Sequence, residues 1–212
     1  MADPSRRPPV AREGWGFVAA FLLLALASAY WEGWAWTGIF GALTLMIAGF
    51  FRDPERTPPQ EPGAVLAPAD GRVVSVETLD SGGSAIRIFL SPLDVHINRS
   101  PVAGQVARAE YREGRFLAAY RPEASGVNEQ NALDIQTVSG ENFRVVQIAG
   151  VLARRIVCWC KAGDELRAGD RIGLIQFGSR TDLYLPPGYA PCVQAGAKVR
   201  GGESIVARAL SR

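Results

Sequence analysis

The sequence predicts a mainly β domain carried behind an apolar helical hairpin, and three observations point there. From Trp15 to Phe51 the chain is almost entirely apolar. After Val65 it changes to short β-rich runs punctuated by glycine. Two segments of that second region then recur 33 residues further on. The expected divisions are a cytoplasmic tail over 1–14, an apolar membrane hairpin over 15–51, a linker over 52–64 and a β-rich domain over 65–212.

The hairpin comes first in the chain. Trp15 to Trp31 and Gly33 to Phe51 each approach the length that spans a hydrocarbon core of roughly 30 Å. Tyr30, Trp31, Trp34 and Trp36 crowd the break between them, where interfacial aromatic rings belong. Arg6, Arg7 and Arg12 precede the first segment, Arg52 and Arg56 follow the second, and the connection between the segments carries no basic residue. The bias of positive charge towards the cytoplasm places both ends on that side, with the hairpin spanning the membrane or re-entering it. A cleaved signal peptide fits poorly, because a second apolar segment follows at once. Arg52-Asp-Pro-Glu-Arg-Thr-Pro-Pro59 then stops the helix and leads into the second region.

In that region Arg72 to Glu77, Ala85 to Leu90, Asn142 to Ile148 and Arg155 to Cys160 read as strands, and no long amphipathic helix is evident. Pro68-Ala-Asp-Gly-Arg-Val-Val-Ser-Val-Glu77 echoes in Pro101-Val-Ala-Gly-Gln-Val-Ala-Arg-Ala-Glu110. Ala162-Gly-Asp-Glu-Leu-Arg-Ala-Gly-Asp-Arg-Ile172 echoes in Ala195-Gly-Ala-Lys-Val-Arg-Gly-Gly-Glu-Ser-Ile205. This pattern resembles biotinyl and lipoyl carrier domains, which implies a pseudo-repeated β-sandwich or barrel. Such carriers modify a lysine at a hairpin tip. Here Lys161 and Lys198 stand instead in the segments leading into the glycine turns, so a carrier function is a weak rival.

Composition excludes several classes. A net charge of +2 makes no case for nucleic acid. Cys158, Cys160 and Cys192 show no framework spacing and have a single histidine beside them, so no metal site is expected. Cys158 and Cys160 flank Trp159 in an alternating run and are expected to face one side of a strand, reduced.

The chemistry concentrates in Phe177-Gly178-Ser179-Arg180, where one apolar run ends on Gly-Ser and another begins. Glycine frees the backbone, and serine sets a hydroxyl beside the preceding carbonyl, as an N-to-O acyl shift requires. Bare Gly-Ser is also a common turn. The chain holds one neutral-pH base, His96, and unperturbed imidazole titrates near pH 6.5. Asp70, in a turn, or Asp94, two residues from His96, would orient it. Asp70 has no carboxylate counterpart in the echo, where Ala103 stands.

Three motifs in order resolve much of this. Ala67-Pro-Ala-Asp-Gly-Arg-Val73, Phe89-Leu-Ser-Pro-Leu-Asp-Val-His-Ile-Asn-Arg-Ser-Pro101 and Ile172-Gly-Leu-Ile-Gln-Phe-Gly-Ser-Arg-Thr-Asp-Leu-Tyr-Leu-Pro186 together resemble phosphatidylserine decarboxylase in its short prokaryotic form. Long-form members carry Gly-Ser-Thr and a second histidine, where this chain has Gly-Ser-Arg and, near the second position, Arg99. The resemblance implies a proenzyme cleaved between Gly178 and Ser179, with Asp70, His96 and Ser179 as the processing triad. It implies a covalent pyruvoyl cofactor at Ser179 that forms a Schiff base with phosphatidylserine. Fragments 1–178 and 179–212 would stay together as a heterodimer at the cytoplasmic face of the cell membrane. Arg99, Arg115 and Arg180 are candidates for the lipid phosphate, since guanidinium offers bidentate donors. Two other classes remain open: a membrane-anchored serine hydrolase without self-cleavage, and a non-catalytic tethered β domain.

Overall fold

The computed structural model describes residues 8–117, 124–150, 155–176 and 179–210. The chain divides into two compact units, Met1–Glu55 and Arg56–Arg212.

The first unit is a pair of helices, α1 (Arg12–Tyr30) and α2 (Trp34–Phe50). Each is apolar on all sides, so pairing leaves many large side chains exposed, among them Leu23, Leu26, Leu45 and Met46. Glu32 takes the tight turn with φ +57°, while the Gly33 N–H donates to the Ser28 carbonyl at 2.8 Å. α1 is long and apolar enough to cross a membrane by length and composition. α2, with 17 residues, is shorter than the roughly 20 a straight span needs. Arg6 and Arg7 lie outside the described residues.

The second unit is mainly β. Its main sheet, curled as a half-barrel, has eight strands: β2 (Gly71–Thr78), β3 (Ser84–Leu90), β5 (Gly104–Arg112), β6 (Gln130–Gln136), β7 (Asn142–Ile148), β9 (Glu165–Leu166), β11 (Ser179–Leu185) and β13 (Lys198–Val199). Their spatial order is β13-β2-β3-β11-β7-β6-β5-β9. Two three-stranded sheets accompany it. One joins β1 (Ala64–Leu66), β14 (Ile205–Ala209) and β12 (Tyr189–Pro191); the other joins β4 (Ile97–Arg99), β10 (Arg171–Gln176) and β8 (Arg155–Cys158). A four-residue helix, α3 (Ala124–Val127), is the remaining helix among the described residues.

The order of the main sheet reads the same way from either edge. β13 and β9, β2 and β5, β3 and β6, β11 and β7 correspond about its middle, and the sequence echoes map onto this symmetry. Gly71 opens β2 opposite Val199 of β13, and Gly104 opens β5 opposite Leu166 of β9. Both glycines allow a close crossing: a Cβ at Gly71 would sit 2.1 Å from the Phe89 carbonyl oxygen, and one at Gly104 would sit 2.3 Å from that of Gln136. The repeats thus share one eight-stranded sheet, with two short sheets beside it.

The core lies on one face of this sheet. Alternation puts Ile86, Ile88 and Leu90 of β3, Leu133 and Ile135 of β6, Phe143 and Val145 of β7, and Leu183 and Leu185 of β11 into one buried cluster. Each such side chain contributes on the order of 1.5–3 kcal/mol when fully buried. Cys158 and Cys160, both free thiols, are half-buried against the same cluster, as the alternation around Trp159 predicts.

Gly71 is the sharpest test of the paired crossings, because its φ is +148° and the nearest obstacle is backbone. Gly71→Ala is expected to destabilise the second unit by about 3 kcal/mol or more in chemical denaturation. A loss under about 1 kcal/mol would contradict the close approach.

Candidate active site

Ser179 is the first residue of β11, the strand hydrogen-bonded between β3 and β7. It pairs with Leu90, while Arg180 pairs with Phe89 on one side and Ile148 on the other. Gln176 is the last residue of β10 and pairs with Arg155 in the small sheet. The chain therefore passes from one sheet to another between Gln176 and Ser179. Phe177 and Gly178, the expected cleavage position included, lie outside the described residues.

Ser179 is fully buried, and its hydroxyl has no hydrogen-bond partner among the described residues. A buried hydroxyl left in this state costs roughly 1–3 kcal/mol, so it calls for a reason. Two residues on, Thr181 faces the same side of β11 and is also fully buried.

His96 is 1% exposed and directly precedes β4. Its carbonyl accepts from the Ile175 N–H at 3.3 Å, which ties it to the strand that leads to Ser179. Its Nδ1 lies 2.9 Å from the Asp94 carbonyl oxygen. A carbonyl can only accept, so Nδ1 carries a proton and donates it to Asp94. Asp94 and His96 both lie outside a strand, between β3 and β4. Residues 91–94 form a turn, closed by the Asp94 carboxylate accepting from the Ser91 N–H at 2.8 Å and its hydroxyl at 2.7 Å.

Asp70 stands in the turn before β2. Its carboxylate accepts from the Arg56 guanidinium at 2.8 Å and from the Gly201 N–H at 2.7 Å. Arg56 also donates to Glu203 at 2.7 Å, which holds the Glu203 carboxyl below its ordinary range. Burial pushes the Asp70 carboxyl up; the Gly201 N–H and the Arg56 charge oppose that rise without cancelling it. In the uncut chain the imidazole is thus oriented by the Asp94 backbone, and the Asp70 carboxylate is engaged by Arg56 and Gly201.

Of the candidate arginines, Arg99 and Arg180 are buried and Arg115 is exposed. Arg180 forms a bidentate pair with Asp182, at 2.8 and 3.1 Å. Burial drives the Asp182 carboxyl up, and Arg180 and then Arg87 oppose it. Arg99 donates to the Gly169 carbonyl at 3.0 Å. Arg115 lies in a backbone bridge to the segment before β6, its N–H donating to Val127 at 2.7 Å.

Sequence reasoning missed the partners of Asp70, which lie 14 residues before it and 131 residues after it. It also missed three buried amides, Asn98, Asn131 and Gln147. Their signal was readable, since Asn131 and Gln147 fall at apolar positions of alternating strands.

The protein-family model that matches is described as phosphatidylserine decarboxylase and covers residues 43–207. The phosphatidylserine decarboxylase proenzyme of Symbiobacterium thermophilum is 46% identical over 98% of this chain and 99% of its own length. Those of Nitrosomonas eutropha and Burkholderia ambifaria are 44% and 45% identical, each over 94% of this chain and at least 95% of their own lengths.

Arg56 holds Asp70 towards its ionised form, so Arg56→Met should raise the Asp70 pKa further. If the processing step at Ser179 needs that carboxylate ionised, the acid limb of its pH–rate profile moves to higher pH in the variant. An unmoved limb would remove Asp70 from the step.

Proposed function

The chain belongs to the phosphatidylserine decarboxylase family, and from that membership we propose that it becomes active by cutting itself between Gly178 and Ser179. It is an enzyme, a decarboxylase that converts phosphatidylserine to phosphatidylethanolamine and carbon dioxide. The observation that carries the proposal is the Ser179 hydroxyl, buried without a hydrogen-bond partner among the described residues at the point where the chain changes sheets. That hydroxyl adjoins its own chain's Gly178 carbonyl, the partner an acyl shift needs.

In the proposed sequence the Nε2 atom of His96 takes the Ser179 hydroxyl proton. The oxygen adds to the Gly178 carbonyl carbon, the C–N bond breaks, and the nitrogen takes up a proton, leaving an ester. Loss of the Ser179 α-proton then expels Gly178 as a carboxylate and leaves an enamine at position 179. Water replaces its nitrogen, ammonia departs, and a pyruvoyl group remains on the new N-terminus. The enclosed position of Ser179 suits this group, whose ketone supplies an electron sink for decarboxylating an amine-bearing substrate. His96 is the group we assign to proton delivery at the substrate carbon, and Asp70 supports the site through its network with Arg56.

Fragments 1–178 and 179–212 are expected to remain a heterodimer, because β11 keeps hydrogen-bonded neighbours on both sides after the cut. The helical pair, exposed and apolar, suits a membrane anchor that brings the site to a bilayer lipid, with the β unit at the cytoplasmic face of the cell membrane. The paired glycine crossings support a likeness in folding plan to biotinyl and lipoyl domains, without their lysine chemistry. Arg99 and Arg180 remain assigned to the headgroup phosphate; since Arg180 is paired with Asp182, it would have to exchange that partner.

Ser179→Ala should give one folded, uncut chain with no phosphatidylethanolamine formed from phosphatidylserine in mixed micelles. His96→Ala should slow cutting by about 100-fold or more. Full decarboxylation by the Ser179→Ala protein would overturn self-processing, and normal cutting in the His96→Ala protein would remove the histidine from its role.

A further inference from the structure

Four fully or almost fully buried polar side chains, none used in the steps above, form a directed chain of hydrogen bonds beside Ser179. The Asn131 amide donates to Gln147 Oε1 at 3.0 Å, the Gln147 amide to Asn98 Oδ1 at 2.7 Å, and the Asn98 amide to Thr181 Oγ1 at 3.2 Å. Asn98, Gln147 and Thr181 are 0% exposed and Asn131 is 3%. Three of the four form one row across the main sheet, since Asn131 pairs with Gln147 and Gln147 with Thr181. The next core-facing row along the strands, Leu133, Val145 and Leu183, is apolar. The polar row therefore closes the core at the end where β11 begins.

Asn98 comes from the other sheet. It sits on β4, paired with Gly173 of β10. A Cβ at Gly173 would lie 3.2 Å from Gln147 Nε2 and 2.2 Å from the Val157 carbonyl oxygen. The missing side chain gives the Gln147 amide room to reach across to Asn98. Hydrogen bonds therefore join the two sheets between which the chain passes at 177–178. On β11, Thr181 is two residues after Ser179; on the β4 segment, Asn98 is two residues after His96.

We propose that this amide chain is a positioning device for the self-cleavage step, with Thr181 and Asn98 as its working pair. The inference rests on the self-processing reading above. The Asn98–Thr181 bond pegs the start of β11 to the β4 segment, so that residue 179 and His96, equally offset from the peg, are held in one register. Each amide points its N–H end towards Thr181. The aligned dipoles place positive potential at the end of the chain where negative charge develops during attack of the Ser179 oxygen. Thr181 Oγ1 already accepts from Asn98, so its own hydrogen is directed elsewhere, and its rotation is restrained.

Thr181→Val keeps the shape and removes the acceptor; Thr181→Ser keeps the hydroxyl. Cutting is followed by intact mass after synthesis of the full chain, and stability is measured for the same substitutions in the uncleavable Ser179→Ala protein. Thr181→Val should cut roughly tenfold to a hundredfold more slowly, Thr181→Ser within about threefold of the unaltered chain, and Asn98→Leu with Thr181→Val no more slowly than the worse single variant. Normal cutting by Thr181→Val would overturn the proposal. So would equal slowing by the serine variant, or slowing that tracks a lowered melting temperature in the Ser179→Ala background. An unaltered chain that never cuts would sink the self-processing reading itself, a separate outcome.

Discussion

Everything about the site depends on one placement: the strand that begins at Ser179 is hydrogen-bonded on both sides within the main sheet, between β3 and β7. A strand so placed cannot leave when the chain before it is cut. It shares a ladder of seven residue pairs with β3 and five with β7, and Leu183 and Leu185 sit in the core. A break at 178–179 therefore creates a chain terminus inside the protein without loosening what holds it. The other flank is equally restrained, since β10 is paired with β4 and β8 up to Gln176.

The second constraint is electrostatic. The two faces of β11 carry different polar devices. On the core face, Thr181 accepts from the neutral Asn98 amide, which orients without adding charge, and Ser179 lies two residues before it. On the opposite face, Arg180 and Asp182 form a buried pair, with Arg87 3.5 Å from Asp182 and bonded in turn to Glu77. Buried ion pairs contribute little net stability, because desolvation offsets most of their attraction. What such a pair does supply is a penalty for misregister: slipping β11 by one residue would exchange charged and core-facing positions. Both devices act on the strand that begins at Ser179.

Much of this was legible in the sequence because it rests on local pattern. The helical pair follows from its apolar run, β7 coincides with the Asn142–Ile148 alternation, and the glycine echoes correspond to the paired crossings at Gly71 and Gly104. What was illegible depends on long-range closure. Asp70 meets Arg56 and Gly201 only after both ends of the β unit come together. Asp94 was a candidate to orient His96 by its carboxylate; that carboxylate instead closes a turn, because Ser91 offers it two donors at once. A pseudo-repeated sandwich or barrel was expected from the echoes; how the copies join was not legible, since β11 and β7 meet at the middle of one sheet. The amides of Asn98, Asn131 and Gln147 interrupt apolar alternation, a signal that becomes meaningful once Thr181 is placed beside them.

The most direct test of self-processing is the intact mass of the purified protein under denaturing conditions. Two fragments are expected, the smaller beginning at residue 179 and lighter by one ammonia than a peptide starting with serine. A single uncut chain from protein that actively decarboxylates phosphatidylserine would contradict it.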